Sequence, residues 1–400
     1  MMNLDFIFKR VGRVLRCSLL ASTLGIAFGA QAQAVGAGQG VSDTEILIGS
    51  VSDLSGPVAS IGGPQRDGMI LAAEEINAGG GIHGRKIRLL VEDSSYDPKK
   101  GVLVTQKLLS QDKVFALVGT FGSAVMQATL PLSLERNVPM LFPMASGDIT
   151  YLPHHPLKFA LLSVASDSMR VAVKYAYEQL GKRRMGIIYQ DDETGQSALR
   201  AAEAQLKVHG LTLIEKTTHK RGDTNFASQV ARIKSANVDI LLLGTNPRET
   251  AAIAIESRAQ SWPVDLLTYT GLNKIVIDLG GAAVEGLRGT TQFVNTAQEL
   301  TPGYLALAER FKTRFGRDIQ DGVNFGYVSM MLFAEGAKNA GRNLTPLSLS
   351  QGLEKVQNFK TVFGASPITY TSTDHSPPHD AIVMQVVGGK WKIITAPMTY

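Results

Sequence analysis

The hydrophobic positions of this chain change period in a regular alternation. Short apolar runs of strand character fall at 45–51, 87–92, 114–118 and 138–142, and segments with helical spacing lie at 65–77, 99–110 and 123–135. A stretch rich in Pro and His, 151–156, interrupts the rhythm, which then restarts. Strands are predicted at 184–189, 211–215, 239–243 and 266–269, separated by helices at 197–209, 225–235 and 248–261. Strand and helix in strict succession predict parallel sheets, and two such series in tandem predict an α/β chain of two lobes. The tail returns to helices at 302–314, 323–340 and 347–356 and ends in short strands near 368–370, 381–387 and 391–395. Such a tail completes the first lobe with helices and the second with strands, so the chain is expected to cross between the lobes several times.

The first 34 residues stand outside this pattern. Lys9, Arg10, Arg13 and Arg16 precede an apolar run from 17 to 30 that is too short to span a bilayer, and Ala32-Gln33-Ala34 follows as a small-residue cleavage site. This is the layout of a secretory signal, with a mature chain starting near Val35. Cys17 does not read as a lipid-attachment site, because Arg16 occupies the place of a small residue. Removal of the signal takes four basic residues and Asp5, lowering the net charge from +5 to about +2. It also removes the one cysteine, so neither a disulfide nor a thiolate metal site is expected. No block of five or six like charges is present, so nucleic acid is not an expected partner.

Catalytic motifs fail on context. Gly79, Gly81 and Gly84 spell G-x-G-x-x-G, yet they follow a helix and precede a strand, the reverse of a dinucleotide cradle, and read as a helix stop and tight turn. Phosphate-loop, nucleophile-elbow and H-E-x-x-H signatures do not occur. His154 with His155, and His375 with His379 beside Asp374 and Asp380, sit among prolines and read as solvated loop histidines rather than metal ligands. Asp191, Asp192 and Glu193 follow a strand, where they can cap the next helix, face a cationic ligand or do acid/base work. No cofactor is implied, and an enzyme of α/β type is the minor alternative.

In an open parallel sheet, ligands bind outside the carboxyl ends of the strands. The segments predicted there are 54–57, 119–123 and 143–148, which are small, hydroxylated and glycine-rich. Ser123 opens a predicted helix, where free N–H groups and the helix dipole favour an anion such as a carboxylate; it also suits an N-cap. Ser146 doubles as a turn residue.

These residues carry a resemblance. Ser55-Gly56-Pro57, the run Asn77-Ala78-Gly79-Gly80-Gly81-Ile82-His83-Gly84-Arg85, Glu92-Asp93 with Asp97-Pro98, Gly119 with Ser123, and Gly388-Gly389-Lys390-Trp391 occur in the order and spacing of the periplasmic leucine/isoleucine/valine-binding protein family. The resemblance spans essentially the whole mature chain. It implies a type I periplasmic-binding fold: two Rossmann-like lobes with parallel sheets, joined by three crossings, lobe 1 being 41–162 plus 297–362 and lobe 2 being 163–296 plus 363–400. It implies a monomer that serves a membrane ABC permease from the periplasm, with a solute-sensing receptor of the same fold as the alternative. Ser123 and Ser146 match the family's carboxylate-binding hydroxyls, with main-chain atoms of Gly122, Met144 and Ala145 completing that half. In lobe 2 the family's aromatic positions fall at Thr194 and near Thr245 or Asn246, and its ammonium-pairing acid falls at Thr270. Without that acid, the expected ligand is a small, largely apolar carboxylate, a branched-chain amino acid or an aromatic acid, whose binding tolerates loss of the amino group unless Asp191, Asp192 or the Met144 carbonyl takes over.

Overall fold

The structure, a computed structural model, describes residues 39–145, 148–161, 164–269, 272, 274–292, 302–362 and 366–400. The signal-like segment and its cleavage site, Ser146 and Thr270 lie outside these residues. Strands β1 (Glu45–Ser52), β2 (Lys86–Asp93), β3 (Ala116–Val118), β4 (Met140–Leu141) and β5 (Lys158–Phe159) form a five-stranded sheet in the order β2-β1-β3-β4-β5. Every pairing in it is parallel. Helices α1 (Ala59–Ala78), α2 (Pro98–Ser110) and α3 (Ser123–Glu135) connect these strands.

Both faces of the sheet are buried, as parallel strands require. In β1, Ile46 and Ile48 enter the core shared with α1, whereas Leu47 packs on the opposite side with Leu108, Leu109, Val125 and Met126. That is the two-residue period of a strand covered on both faces.

A second sheet repeats the plan. After α4 (Met169–Glu178) come β6 (Met185–Gln190), α5 (Glu193–Val208), β7 (Glu215–His219), α6 (Ala227–Ser235), β8 (Ile240–Gly244), α7 (Pro247–Ala259), β9 (Asp265–Thr268), α8 (Lys274–Gly280) and β10 (Arg288–Thr291). Helices α9 (Pro302–Phe315), α10 (Val323–Ala340) and α11 (Pro346–Leu353) follow, then β11 (Ile382–Val387) and β12 (Lys390–Ile393). The second sheet runs β12-β11-β10-β9-β8-β6-β7, parallel from β7 to β10, with β11 and β12 added antiparallel. Its parallel part, β7-β6-β8-β9-β10, has the same winding as the first sheet.

The late helices return to the first core, where Leu307, Phe311, Phe325, Phe333 and Leu349 pack with residues of β1 and α1. Gly68 and Gly326 permit the close approach of α1 and α10: a Cβ on Gly68 would lie 1.9 Å from the Val323 carbonyl oxygen, and one on Gly326 would lie 1.9 Å from that of Gln65. The chain therefore passes between the two cores three times, after β5, after β10 and after α11. Hydrogen bonds lace these passages together. The Tyr370 hydroxyl donates to the Ala160 carbonyl (2.6 Å), the Thr290 hydroxyl to that of Ser168 (2.7 Å) and the Gln292 amide to that of Pro378 (2.6 Å).

Some elements depart from the sequence pattern. The strand expected at 211–215 lies at β7 instead, because Leu211 and Leu213 pack against the core beneath α5 while the polar Lys216, Thr217 and Thr218 form an edge ladder on β6. The run near 368–370 makes a single bridge, Ile368 with Phe359. The histidine reading also needs correction at one position. His375 is buried, stacks on Phe159 at 3.6 Å and bonds through Nδ1 to the Lys158 carbonyl (3.0 Å), so it is a packed core histidine. Gly80, Gly81 and Gly84 all take positive φ between α1 and β2, as a turn requires.

Candidate functional site

The carboxyl ends of the strands in both sheets open toward one cleft, and the loops there are built from the chain's small and polar residues. After β1, buried Asp53 folds its loop by accepting the N–H groups of Gly56 (2.5 Å) and Val58 (2.9 Å). After β2, Asp93 accepts from the Leu54 N–H, the Ser55 and Ser95 hydroxyls, the Ser95 N–H and the Lys100 ammonium. Burial opposes its ionisation, yet these donors, Lys100 foremost, hold the carboxyl well below the usual carboxylate range. Tyr96 follows, and with Val58 and Phe121 it forms a small apolar cluster on the cleft wall.

After β3, Gly122 rather than Ser123 is the N-cap of α3. It has φ +93 and carries no side chain to cap the first turn, so Ser123 is the first helical residue, 2% exposed. Glycine at the cap makes no side-chain hydrogen bond to the first turn, and a helix start at a strand's carboxyl end is a place that suits an anion. Gly122 is required for a second reason: a Cβ would lie 2.5 Å from Cε2 of Tyr96. The Gly122 N–H donates to the Met144 carbonyl (2.9 Å), and the Met144 N–H to that of Thr120 (2.8 Å). Both N–H groups thus tie the loop after β3 to the loop after β4. Ala145 is buried beside them.

The second sheet supplies the facing wall. Asp192 caps α5 by accepting the Thr194 N–H (3.0 Å), which realises the capping reading of the acidic cluster, and Glu193 turns back to Ser197 and Arg200. Thr194 is buried, and its carbonyl accepts the Tyr269 hydroxyl (3.1 Å). Asn246 is the N-cap of α7, and its amide donates to Gln190 Oε1 (2.9 Å).

Arg221, in the loop after β7, joins the two walls. One guanidinium nitrogen donates to the Tyr96 carbonyl (2.6 Å) and another to Asp192 Oδ2 (2.8 Å), and the group lies 4.4 Å from the centre of the Tyr96 ring. Gln190 adds a bond to the same Asp192 oxygen (2.6 Å). Burial, with the Asp192 carboxylate near, pushes the Tyr96 phenol up, against the opposing pull of Arg221 and of the Thr194 and Asn246 side chains beside it. Tyr96, Gln190 and Arg221 escaped the sequence reading. Each stands at or just after the end of a parallel strand, so the rule that drew attention to Ser123 covers them too, but the bond between Arg221 and Tyr96 joins residues 125 apart in sequence.

Two parallel α/β lobes, laced by three passages and facing each other across a polar cleft, define the class of two-lobed solute-binding proteins. The family model for periplasmic binding proteins matches residues 45–390. The chain belongs to that family. The Leu/Ile/Val/Thr-binding protein of Salmonella typhimurium is 28% identical over 244 residues, 61% of this chain and 67% of that one. The Leu/Ile/Val-binding protein of Escherichia coli K12 is 26% identical over 271 residues, 68% and 71% of the two chains. Among solved structures, a branched-chain amino acid ABC transporter protein of Thermus thermophilus with bound valine superposes with a TM-score of 0.81 at 17% identity, covering 90% of this chain and 98% of the other. A fatty acid ABC transporter substrate-binding protein of Thermomonospora curvata gives 0.81 at 24%, covering 91% and 95%.

Proposed function

We propose that the chain captures a small carboxylate-bearing solute, a branched-chain or hydrophobic amino acid or an aromatic acid, in the periplasm and hands it to a membrane ABC permease. It acts as a monomer by closing lobe 1 (41–162 plus 297–362) on lobe 2 (163–296 plus 363–400), and it catalyses no reaction. The observation that carries this reading is the cleft itself. Ser123 stands buried at the start of α3 on one wall, and Arg221 ties the other wall to Tyr96 across the gap.

Export by residues 1–34 accords with this role, as does the periplasmic placing of the family. The names of the relatives support the solute class from two sides: one fold neighbour holds valine, and another is named for fatty acids, so the shared feature is a carboxylate. In the mechanism, α3 receives the carboxylate while the lobes are apart. Closure then brings Thr194 and Asn246 to the solute and forms the Arg221 bridge, so that solute binding and the bridge favour the same state.

A thermal-shift screen of the mature protein against amino acids and aromatic acids tests the proposal. A solute that binds only the folded state raises the melting temperature, by RT ln(1 + [L]/Kd) in free energy. At least one carboxylate is expected to do so; a screen in which amines or neutral sugars stabilise and carboxylates do not contradicts the proposal.

A further inference from the structure

Tyr96 sits in the turn between β2 and α2, yet it is only 4% exposed. Its ring lies against Gly122 at the start of α3, meets the Phe121 ring edge-on at 6.0 Å and has the Arg221 guanidinium 4.4 Å from its centre. Its phenol end reaches the second lobe, beside the Thr194 and Asn246 side chains. The turn that aims it is a demanding one. Ser95 and Tyr96 take φ +50 and +56, the left-handed region, which a bulky residue adopts at a cost and keeps only where its surroundings hold it. Held from both lobes, the ring is a fixed part of the cleft wall.

Beside the ring lies a cavity of about 340 Å³, large enough for a small-molecule site. Pro57, Val58 and Ile61 of the first lobe and Pro247 and Ile275 of the second give it apolar walls. Tyr96 belongs to its lining too, so the same side chain borders the cavity and the start of α3. A solute held by its carboxylate at the start of α3 has this apolar room within reach only past the ring.

We propose that Tyr96 determines the length of the solute: with its ring in place the cleft takes short carboxylates, and the apolar cavity beside it is closed to their tails. The proposal rests on the carboxylate reading above and adds a limit of size to it. An apolar tail that entered the cavity would strengthen binding about fourfold for each methylene buried. A tail stopped by the ring gains nothing from further length, and to grow it must push aside a packed side chain.

Calorimetry on the mature protein with three sets of solutes tests this: the straight-chain acids from butanoate to decanoate, their α-amino counterparts, and benzoate with 4-phenylbenzoate. In a set that binds, the wild type is expected to prefer a short member, hexanoate or shorter or benzoate, and to bind the longest member at least tenfold more weakly. Tyr96→Ala should bind that longest member at least tenfold more tightly than the wild type does, whereas Tyr96→Phe, which keeps the ring, should retain the preference for short solutes. Should Tyr96→Ala fail to fold, Tyr96→Leu, which also removes the ring, takes its place with the same direction of change. A wild type that binds octanoate, decanoate, their amino counterparts or 4-phenylbenzoate more tightly than the short members overturns the proposal. So does a length profile that neither variant shifts. Failure of every compound to bind the wild type would instead overturn the carboxylate reading, and this proposal with it.

Discussion

Ser123 and Gly122 divide between them a task that the sequence assigned to one residue. Glycine takes the left-handed cap, where a side chain would strike Tyr96, and serine takes the buried first helical position. The pair was legible because a Gly-Ser step between an apolar strand and a helical pattern sits at a strand's carboxyl end. Thr194 and Asn246 were expected from the family resemblance alone; Thr194 lies buried in the first turn of α5 and Asn246 caps α7 on the wall of the cleft. Tyr96 and Arg221 were not legible, since their roles arise from contacts across the lobes, which leave no periodic signal. The hydroxyl of Ser123 is expected to donate to the solute's carboxylate. Ser123→Ala should weaken calorimetric affinity by about 1–3 kcal/mol, the range for a hydrogen bond to a charged group. An unchanged affinity would remove Ser123 from the site.

Elements were read well wherever burial imposes a period. β1, β2, α3 and α10 lie within a residue or so of their predicted bounds because both faces of the first sheet are covered. Two strands that were missed lack that imprint. β5 is two residues long and includes Lys158, whose buried ammonium donates to the carbonyls of Ile149 and Leu152; burial lowers its pKa to about 8. β10 reads Arg-Gly-Thr-Thr, without an apolar side chain.

Two contacts between elements yield predictions. Arg221→Met keeps an apolar stem and loses the bonds from the β7 loop to Tyr96 and Asp192, so it should speed solute release and weaken affinity by about 1–3 kcal/mol, as read by stopped-flow and calorimetry. Equal release rates would show that the bridge does not hold the closed form. In the passages between lobes, His379 Nδ1 lies 2.7 Å from Asp167, and this hydrogen bond raises the histidine above its usual value, with Asp374 assisting and Arg170 and burial opposing. A raised histidine stabilises the folded state fully below pH about 6.5 and loses that contribution as pH rises through its elevated pKa. Wild-type stability should therefore decline relative to His379→Gln from about pH 6.5 upward, and parallel denaturation curves across that range would contradict the assignment.

At the scale of the whole molecule, the tandem strand–helix series was enough to predict two parallel lobes, and the late helices followed by late strands were enough to predict repeated crossing. How the lobes meet was not encoded in any local pattern. It depends on Arg221 reaching Tyr96 and on the lacing of residues near 160, 292 and 375, all long-range contacts between polar groups. The central claim is that a carboxylate solute draws the two lobes together. Small-angle X-ray scattering of the mature protein, without solute and at saturation with the carboxylate that most raises its melting temperature, tests this most directly. The account predicts a smaller radius of gyration with solute than without, and a smaller change in Arg221→Met. Identical scattering from the wild type in the two conditions would contradict it.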